Sequence, residues 1–185
     1  MESDGDTTRE YQESRDFIIQ SIVRDIAFKN EEIKKVEVEM KKLLKLLDLK
    51  LETIPGVDTV TAIALVAHIG DIKRFRNADK LAKFSGIAPV NFSSAGKGKD
   101  KKSKQGNRGL YGVFYFLAVQ QIQVSKKGTP RNPVFLEYYK RKVSEGKTKI
   151  QALVCVMRRL NNIIYGMMKN KTEYVMPNVE IKEVA

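Results

Sequence analysis

The sequence predicts an all-α protein: a long coiled-coil helix followed by a compact multi-helix domain. Three observations predict it. Apolar residues recur with a heptad period from about Glu10 to Leu51. Beyond Pro55 and Gly56, further apolar runs of helical period are separated by N-capping residues and by Gly or Pro. With 42% hydrophobic residues in 185, the chain has enough apolar side chain for one compact core plus an extension.

Taken in order, residues 1–9 are polar and read as a disordered tail. Residues 10–51 read as the coiled-coil helix. Ile19, Ile26, Ile33, Met40 and Leu47 hold one heptad position, Ile22, Val36 and Leu43 the other, and Lys29 breaks the seam. A helix cannot bury so long a stripe against itself, so pairing with a second copy is expected, as a homodimer or higher oligomer. Pro55 and Gly56 stop this helix, and Asp58 or Thr59 starts the next, which runs on Val60, Ile63, Ala64, Val66 and Ala67 toward Gly70. The pattern of Leu51, Ile54, Gly56, Val57, Ala62 and Leu65 resembles a helix-hairpin-helix, a unit that offers backbone amides to a DNA phosphate. Asp58 stands where the second hairpin glycine is expected. Its carboxylate, as an N-cap, would occupy those amides and repel the phosphate, so the turn is read as structural.

Asn77 is expected to cap a helix ending at Gly86, and Asn107 one from Arg108 to about Val124. Asn132 with Pro133 opens another that closes at Gly146. Thr148 opens the last, with Ile150, Leu153, Val154, Met157, Leu160, Ile164, Met167 and Met168 on one face. The compact domain is thus expected over 52–170, followed by an extended tail over 171–185.

A net charge of +12 points to nucleic acid ahead of an anionic membrane surface. No membrane span is expected: the longest uncharged stretch, Gly109 to Ser125, is too short and too rich in Gln. Cys155 is the lone cysteine, so no intrachain disulfide can form; in its apolar helical run it reads as buried packing in a reducing compartment. His68 is the lone histidine, and a zinc site of the Cys/His type cannot be assembled. A Ser-His-Asp arrangement would have to use His68 on an apolar helix and is not expected. Asp58, Asp71, Asp79 and Asp100 occur singly, as caps, turn residues or loop charges, rather than as carboxylate pairs for metal. No cofactor is therefore expected in this chain.

The positive charge concentrates in the run FSSAGKGKDKKSKQGNRGL from Phe92 to Leu110. Ser93 and Ser94 precede Ala95, Gly96 and Gly98, and Lys97, Lys99, Lys101, Lys102, Lys104 and Arg108 are opposed only by Asp100. Glycines admit close backbone approach, and the cations would neutralise phosphates with release of counterions. Composition alone equally allows a solvated, lysine-rich tether.

The blocks LETIPGVDTVTAIALVAHIG, DIKRFRNADKLAKFSGIAPVNFSSAG and KQGNRGLYGVFYFLAVQ, in that order, resemble the C-terminal transposase domain of the one-ten family of insertion-sequence transposases, serine-using recombinases guided by a bridge RNA. The resemblance runs from about Ile33 to Lys169, and IPGV, FSGIAP, the serine before the basic loop and KQGNR are its most specific parts. It implies that a serine two positions after an aromatic residue, just past a Gly-x-x-Pro step, attacks a DNA phosphodiester. Gly86, Pro89 and Phe92 set that frame, which assigns the role to Ser94 and leaves Ser93 as its neighbour. A serine hydroxyl needs its proton taken and the phosphoryl charge stabilised. Lys97, Lys99 or Arg108 would hold the phosphate oxygens, within an expected nucleic-acid-binding set of Lys97, Lys99, Lys101, Lys102, Lys104, Asn107 and Arg108.

The resemblance also implies an N-terminal RNase-H-like domain that carries acidic ligands for a divalent metal. DNA and a guide RNA are the implied partners, and the nucleoid of a prokaryotic cytoplasm is the implied location. The chain accordingly reads as a C-terminal fragment or truncated relative of such an enzyme, inactive alone. Three function classes follow: part of a serine recombinase, a non-catalytic nucleic-acid-binding module that adds Lys140, Arg141, Lys142, Arg158 and Arg159 to the basic loop, or an assembly element built on the coiled coil.

Overall fold

The computed structural model describes residues 11–94, 97–101, 103 and 105–177, and for 90–94 and 97–101 the backbone alone. The expected tail over 1–9, the connection Ala95–Gly96, Lys102, Lys104 and residues 178–185 lie outside the described residues. The fold is all-α, with one two-stranded antiparallel ribbon that the helical reading did not include. Helix α1 spans Gln12–Leu47, and the chain divides into two compact units at Lys42 and Leu43.

The first unit is the body of α1. Ile19, Ile22, Ile26, Ile33 and Val36 all lie exposed along it, joined by Phe17, Ile18 and Val23. Its polar faces carry Glu32–Lys35 and Glu39–Lys42 ion pairs one turn apart, at 2.8 and 2.7 Å. Such exposed pairs contribute only a few tenths of a kcal/mol each.

The second unit begins with the last turn of α1, where Leu44 is buried. The helix stops at Leu47 rather than at Leu51 because Asp48 takes the left-handed conformation, φ 52°. Aspartate tolerates that region better than most residues. The Asp48 N–H donates to the Lys45 carbonyl at 3.1 Å and that of Leu49 to the Leu44 carbonyl at 3.3 Å, closing the helix end. A 3-10 turn over Leu51–Thr53 then buries Leu51 and Ile54, and Pro55 with Gly56 lead into α2, Thr59–Ile69.

All five remaining helices begin on residues expected to start them, with Asp58, rather than Thr59, as the cap of α2. Asn77 accepts from the Lys80 N–H ahead of α3 (Ala78–Phe84), Asn107 from that of Leu110 ahead of α4 (Arg108–Gln121), and Asn132 from that of Phe135 ahead of α5 (Pro133–Ser144). Before α6 (Lys149–Asn170), Thr148 and Gln151 form a reciprocal capping box.

Helix α6 is the hub of this unit: α3, α4 and α5 pack on it, and α2 packs on α4. Leu153, Met157, Leu160, Ile164, Met167 and Met168 are buried along its apolar stripe. Ile150, expected on that stripe, is 67% exposed, although Ala152 and Leu153 beside it are buried. Burying a side chain of this size stabilises the fold by about 1.5–3 kcal/mol, so each of these residues contributes materially to cohesion. Polar bonds fix the start of α3 and the segment before it: Tyr165 Oη donates to the Phe75 carbonyl at 3.0 Å, Asn161 Nδ2 donates to the Ala78 carbonyl at 2.9 Å, and Arg158 pairs with Asp79.

Among the described residues, no helix is long and apolar enough to cross a membrane.

Candidate nucleic-acid interface

The FSGIAP and KQGNR blocks, separated by the basic run, meet in space. After α3 the chain passes Gly86 at φ 73°, and on its return it passes Gly106 at φ 113°, both outside the range that residues with a side chain readily adopt. The two glycines also cross in close contact. A Cβ on Gly86 would lie 2.7 Å from the Gln105 carbonyl oxygen, and one on Gly106 would lie 2.7 Å from the Gly86 nitrogen. The Asn107 N–H donates to the Phe84 carbonyl at 2.7 Å and locks the crossing. Ser103 supports the returning strand, its hydroxyl donating to the Gln105 carbonyl at 3.0 Å and accepting from the Gln105 N–H at 3.2 Å.

From this crossing the ribbon runs out, with β1 over Val90–Ser94 and β2 over Lys97–Lys101. Val90 pairs with Lys101, Asn91 with Asp100, Phe92 with Lys99, Ser93 with Gly98 and Ser94 with Lys97. Directly paired residues of an antiparallel ribbon share a face, and alternate residues share it along each strand. One face therefore holds Val90, Phe92, Ser94, Lys97, Lys99 and Lys101; the other holds Asn91, Ser93, Gly98 and Asp100. The register thus separates the two serines. Ser94 shares its face with three lysines, whereas Ser93 shares its face with the sole acid of the run.

Asn107 and Arg108 stand at the foot of the ribbon, at the start of α4. The Asn107 carboxamide oxygen is engaged as an N-cap by the Leu110 N–H at 2.9 Å, while Arg108 is exposed in the first turn.

The helix-hairpin-helix-like turn is chemically closed. Asp58 Oδ1 accepts from the Thr61 N–H at 2.7 Å, and that backbone hydrogen bond is the chief reason its carboxyl titrates below the ordinary value of 3.8. The Val57 N–H donates to the Ile54 carbonyl at 3.0 Å. Gln121 Nε2 donates to the Pro55 carbonyl, and Gln121 Oε1 in turn accepts from Asn132 Nδ2 at 2.9 Å. The Arg131 side chain lies so close to Gly56 that a Cβ there would stand 3.1 Å from its Nη1.

His68 is half-buried, with its ring against Gly109, where there is no room for a Cβ. Gly109 thus lets α2 and α4 approach at this point. Among the described residues, no group of three or more His, Cys, Asp or Glu side chains could hold a metal ion.

Cys155 is half-buried rather than enclosed, and it lines a groove of about 720 Å³ beside the foot of the ribbon. Gln151, Val154, Cys155, Arg158, Arg159 and Asn162 of α6 all face this groove. Their spacing marks a second stripe next to the apolar one, and that spacing was the available sequence signal. It was hidden because Val154 and Cys155 read as core.

Residues 48–140 match the family described as Transposase IS116/IS110/IS902. The chain is 31% identical over 122 residues to the insertion element IS116 uncharacterized 44.8 kDa protein of Streptomyces clavuligerus, covering 65% of this chain and 29% of that protein. It is 33% identical over 124 residues to the pilin gene-inverting protein of Moraxella bovis, covering 67% of this chain and 37% of that protein. It is 27% identical over 162 residues to the insertion element IS110 uncharacterized 43.6 kDa protein of Streptomyces coelicolor, covering 86% of this chain and 38% of that protein. The chain thus spans well under half the length of these relatives.

Proposed function

The chain belongs to the IS116/IS110/IS902 family of transposases, and from that premise we propose that it binds DNA through the basic face of its ribbon and supplies Ser94 as a nucleophile for strand cleavage and exchange. What supports the choice of residue is the register: Ser94 pairs with Lys97 and shares its face with Lys99 and Lys101, while Ser93 shares its face with Asp100. A phosphate drawn to that face meets cations that offset the charge growing on its oxygens as the hydroxyl attacks.

In the proposed step the Ser94 Oγ forms an ester bond to phosphorus, and the bond from phosphorus to the deoxyribose oxygen of the leaving strand breaks. The serine proton passes to a base, and the departing oxygen gains a proton. A hydroxyl of a second strand reverses the step and restores the serine. The base, the acidic ligands and their divalent metal would come from an RNase-H-like half of the kind the resemblance implies, and the guide RNA would bind mainly there.

Combining this chain with such a half, metal, guide RNA and a donor-target DNA pair should give a denaturation-resistant protein-DNA adduct. Ser94→Ala should abolish the adduct and leave salt-sensitive DNA binding in place. An adduct that persists in Ser94→Ala but is lost in Ser93→Ala would move the role by one residue; persistence in the double variant would end the serine mechanism.

We also infer that α1 pairs with a second copy as a coiled coil, because Ile19, Ile22, Ile26, Ile33 and Val36 lie exposed along it. Sedimentation equilibrium reads this directly. A monomer mass that stays constant with concentration would overturn it.

A further inference from the structure

We propose that the groove bounded by α5 and α6 at the foot of the ribbon takes one unpaired nucleotide of a nucleic-acid strand lying along the ribbon, a role that rests on the DNA-binding reading above. Position is the first argument. Gly86, Pro89 and Ser103 contribute to the groove's lining, so it opens beside the residues from which β1 leaves and to which β2 returns. A strand lying along the ribbon would reach the groove's mouth at the ribbon's foot.

The lining supplies the second argument. A volume of about 720 Å³ falls within the roughly 300–1,000 Å³ of small-molecule pockets. Tyr111 and Tyr138 provide aromatic surface. The Arg159 guanidinium lies 4.9 Å from the centre of the Tyr138 ring. Aromatic rings and guanidinium planes are the surfaces on which unstacked bases settle, whatever their sequence. Gln151 and Asn162 add side-chain amides, which can donate to and accept from a base edge.

Charge is the third argument and decides the class of occupant. Arg158 is ion-paired with Asp79, while Lys147 and Arg159 add further positive charge, and no carboxylate is among the described residues that line the groove. An apolar protein segment would desolvate these cations without compensation. A nucleotide brings both the flat ring and the negative charge.

Cys155, the only cysteine of the chain, lines the groove and serves as its reporter. The test follows its modification by an aromatic disulfide reagent on the full chain. Four ligands are compared at equal bound fraction, set by fluorescence anisotropy: a fully paired DNA duplex, the same duplex with one extra unpaired nucleotide, and the corresponding single strands of DNA and RNA. The unpaired nucleotide should slow modification about ten-fold beyond the paired duplex, in keeping with the strength of one base–aromatic stack. Ile150 is 67% exposed at the rim, so Ile150→Trp fills the groove without disturbing the core. It should erase the difference while paired-duplex affinity holds.

Protection by single-stranded RNA but not DNA would support the same chemistry and name RNA as its source. Equal protection by both duplexes, or a difference that survives Ile150→Trp, overturns the inference. Salt-sensitive duplex binding with Cys155 equally reactive throughout removes this inference alone. Failure of every ligand to bind removes the DNA-binding reading with it.

Discussion

The turn at Pro55–Asp58 and the crossing at Gly86 and Gly106 both rest on glycines with positive φ, 83° at Gly56 against 73° and 113° at the crossing. The two turns use their glycines differently. At the first, the Asp58 carboxylate takes the Thr61 N–H, Gln121 holds the Pro55 carbonyl and Arg131 lies over Gly56. The Thr61 N–H and the Pro55 carbonyl are thus engaged from within. At the second, two backbone strands touch, and the chain between them becomes a ribbon with three lysines on one face. A glycine turn serves an anion when its donors stay open or when it holds cations out toward solvent. At the first turn the cap donor is taken by Asp58, whereas the register of the second places three lysines on one face of the ribbon.

The largest effect should come from closing the crossing. Gly106→Ala would set a Cβ 2.7 Å from the Gly86 nitrogen and 2.8 Å from the Phe84 carbonyl, at φ 113°. Neither neighbour is the end of a flexible side chain, so the backbone must shift, at a cost of about 3 kcal/mol. Urea unfolding should show a lowered midpoint. Gly112→Ala is the control: nothing lies within 4 Å of its Cβ, and it sits inside α4. That change should stabilise the protein by up to about 1 kcal/mol. If Gly106→Ala unfolds no earlier than the unmodified protein, the crossing does not hold the ribbon.

The next effect concerns charge. Replacing Lys97, Lys99 and Lys101 by Gln should flatten the log-log dependence of DNA affinity on salt by about 0.9 for each phosphate no longer neutralised. The slope should not change in Arg131→Gln, because Arg131 packs over Gly56 at the closed turn. Equal changes in both proteins would erase the contrast between the two turns.

These contrasts were partly legible in the sequence. Asp58, Asn77, Asn107, Asn132 and Thr148 were readable as helix starts because a cap depends on residue type and on chemistry within a single turn. The closed turn was readable for the same reason. The ribbon was not, since Lys97–Lys101 alternates lysine with Gly98 and Asp100 and has no apolar period. It is fixed instead by Gly86 and Gly106, twenty residues apart in the chain, whose contact no local pattern records. The groove beside it escaped for a related reason: Val154 and Cys155 have core-like side chains, and only the packing of α5 and the ribbon's foot leaves them uncovered.

The smallest expected effect tests the closed turn through its acid. The Thr61 N–H holds the Asp58 carboxyl below its ordinary value of 3.8 in the folded protein. A depressed carboxylate stabilises the fold above its unfolded-state value, and that contribution disappears as pH falls through the folded-state value. At neutral pH, Asp58→Ala should therefore lower stability by about 1 kcal/mol, the usual cost of losing an N-cap. Asp58→Asn keeps an acceptor without the charge, and its deficit should shrink as pH drops below 3.8, where the native carboxyl also becomes neutral. Urea midpoints measured across that range separate the two variants. Neither should change the salt slope of DNA binding. A steeper slope in Asp58→Ala would mean that uncovering the α2 amides admits a phosphate, and the turn would then be a binding site kept shut by its own cap.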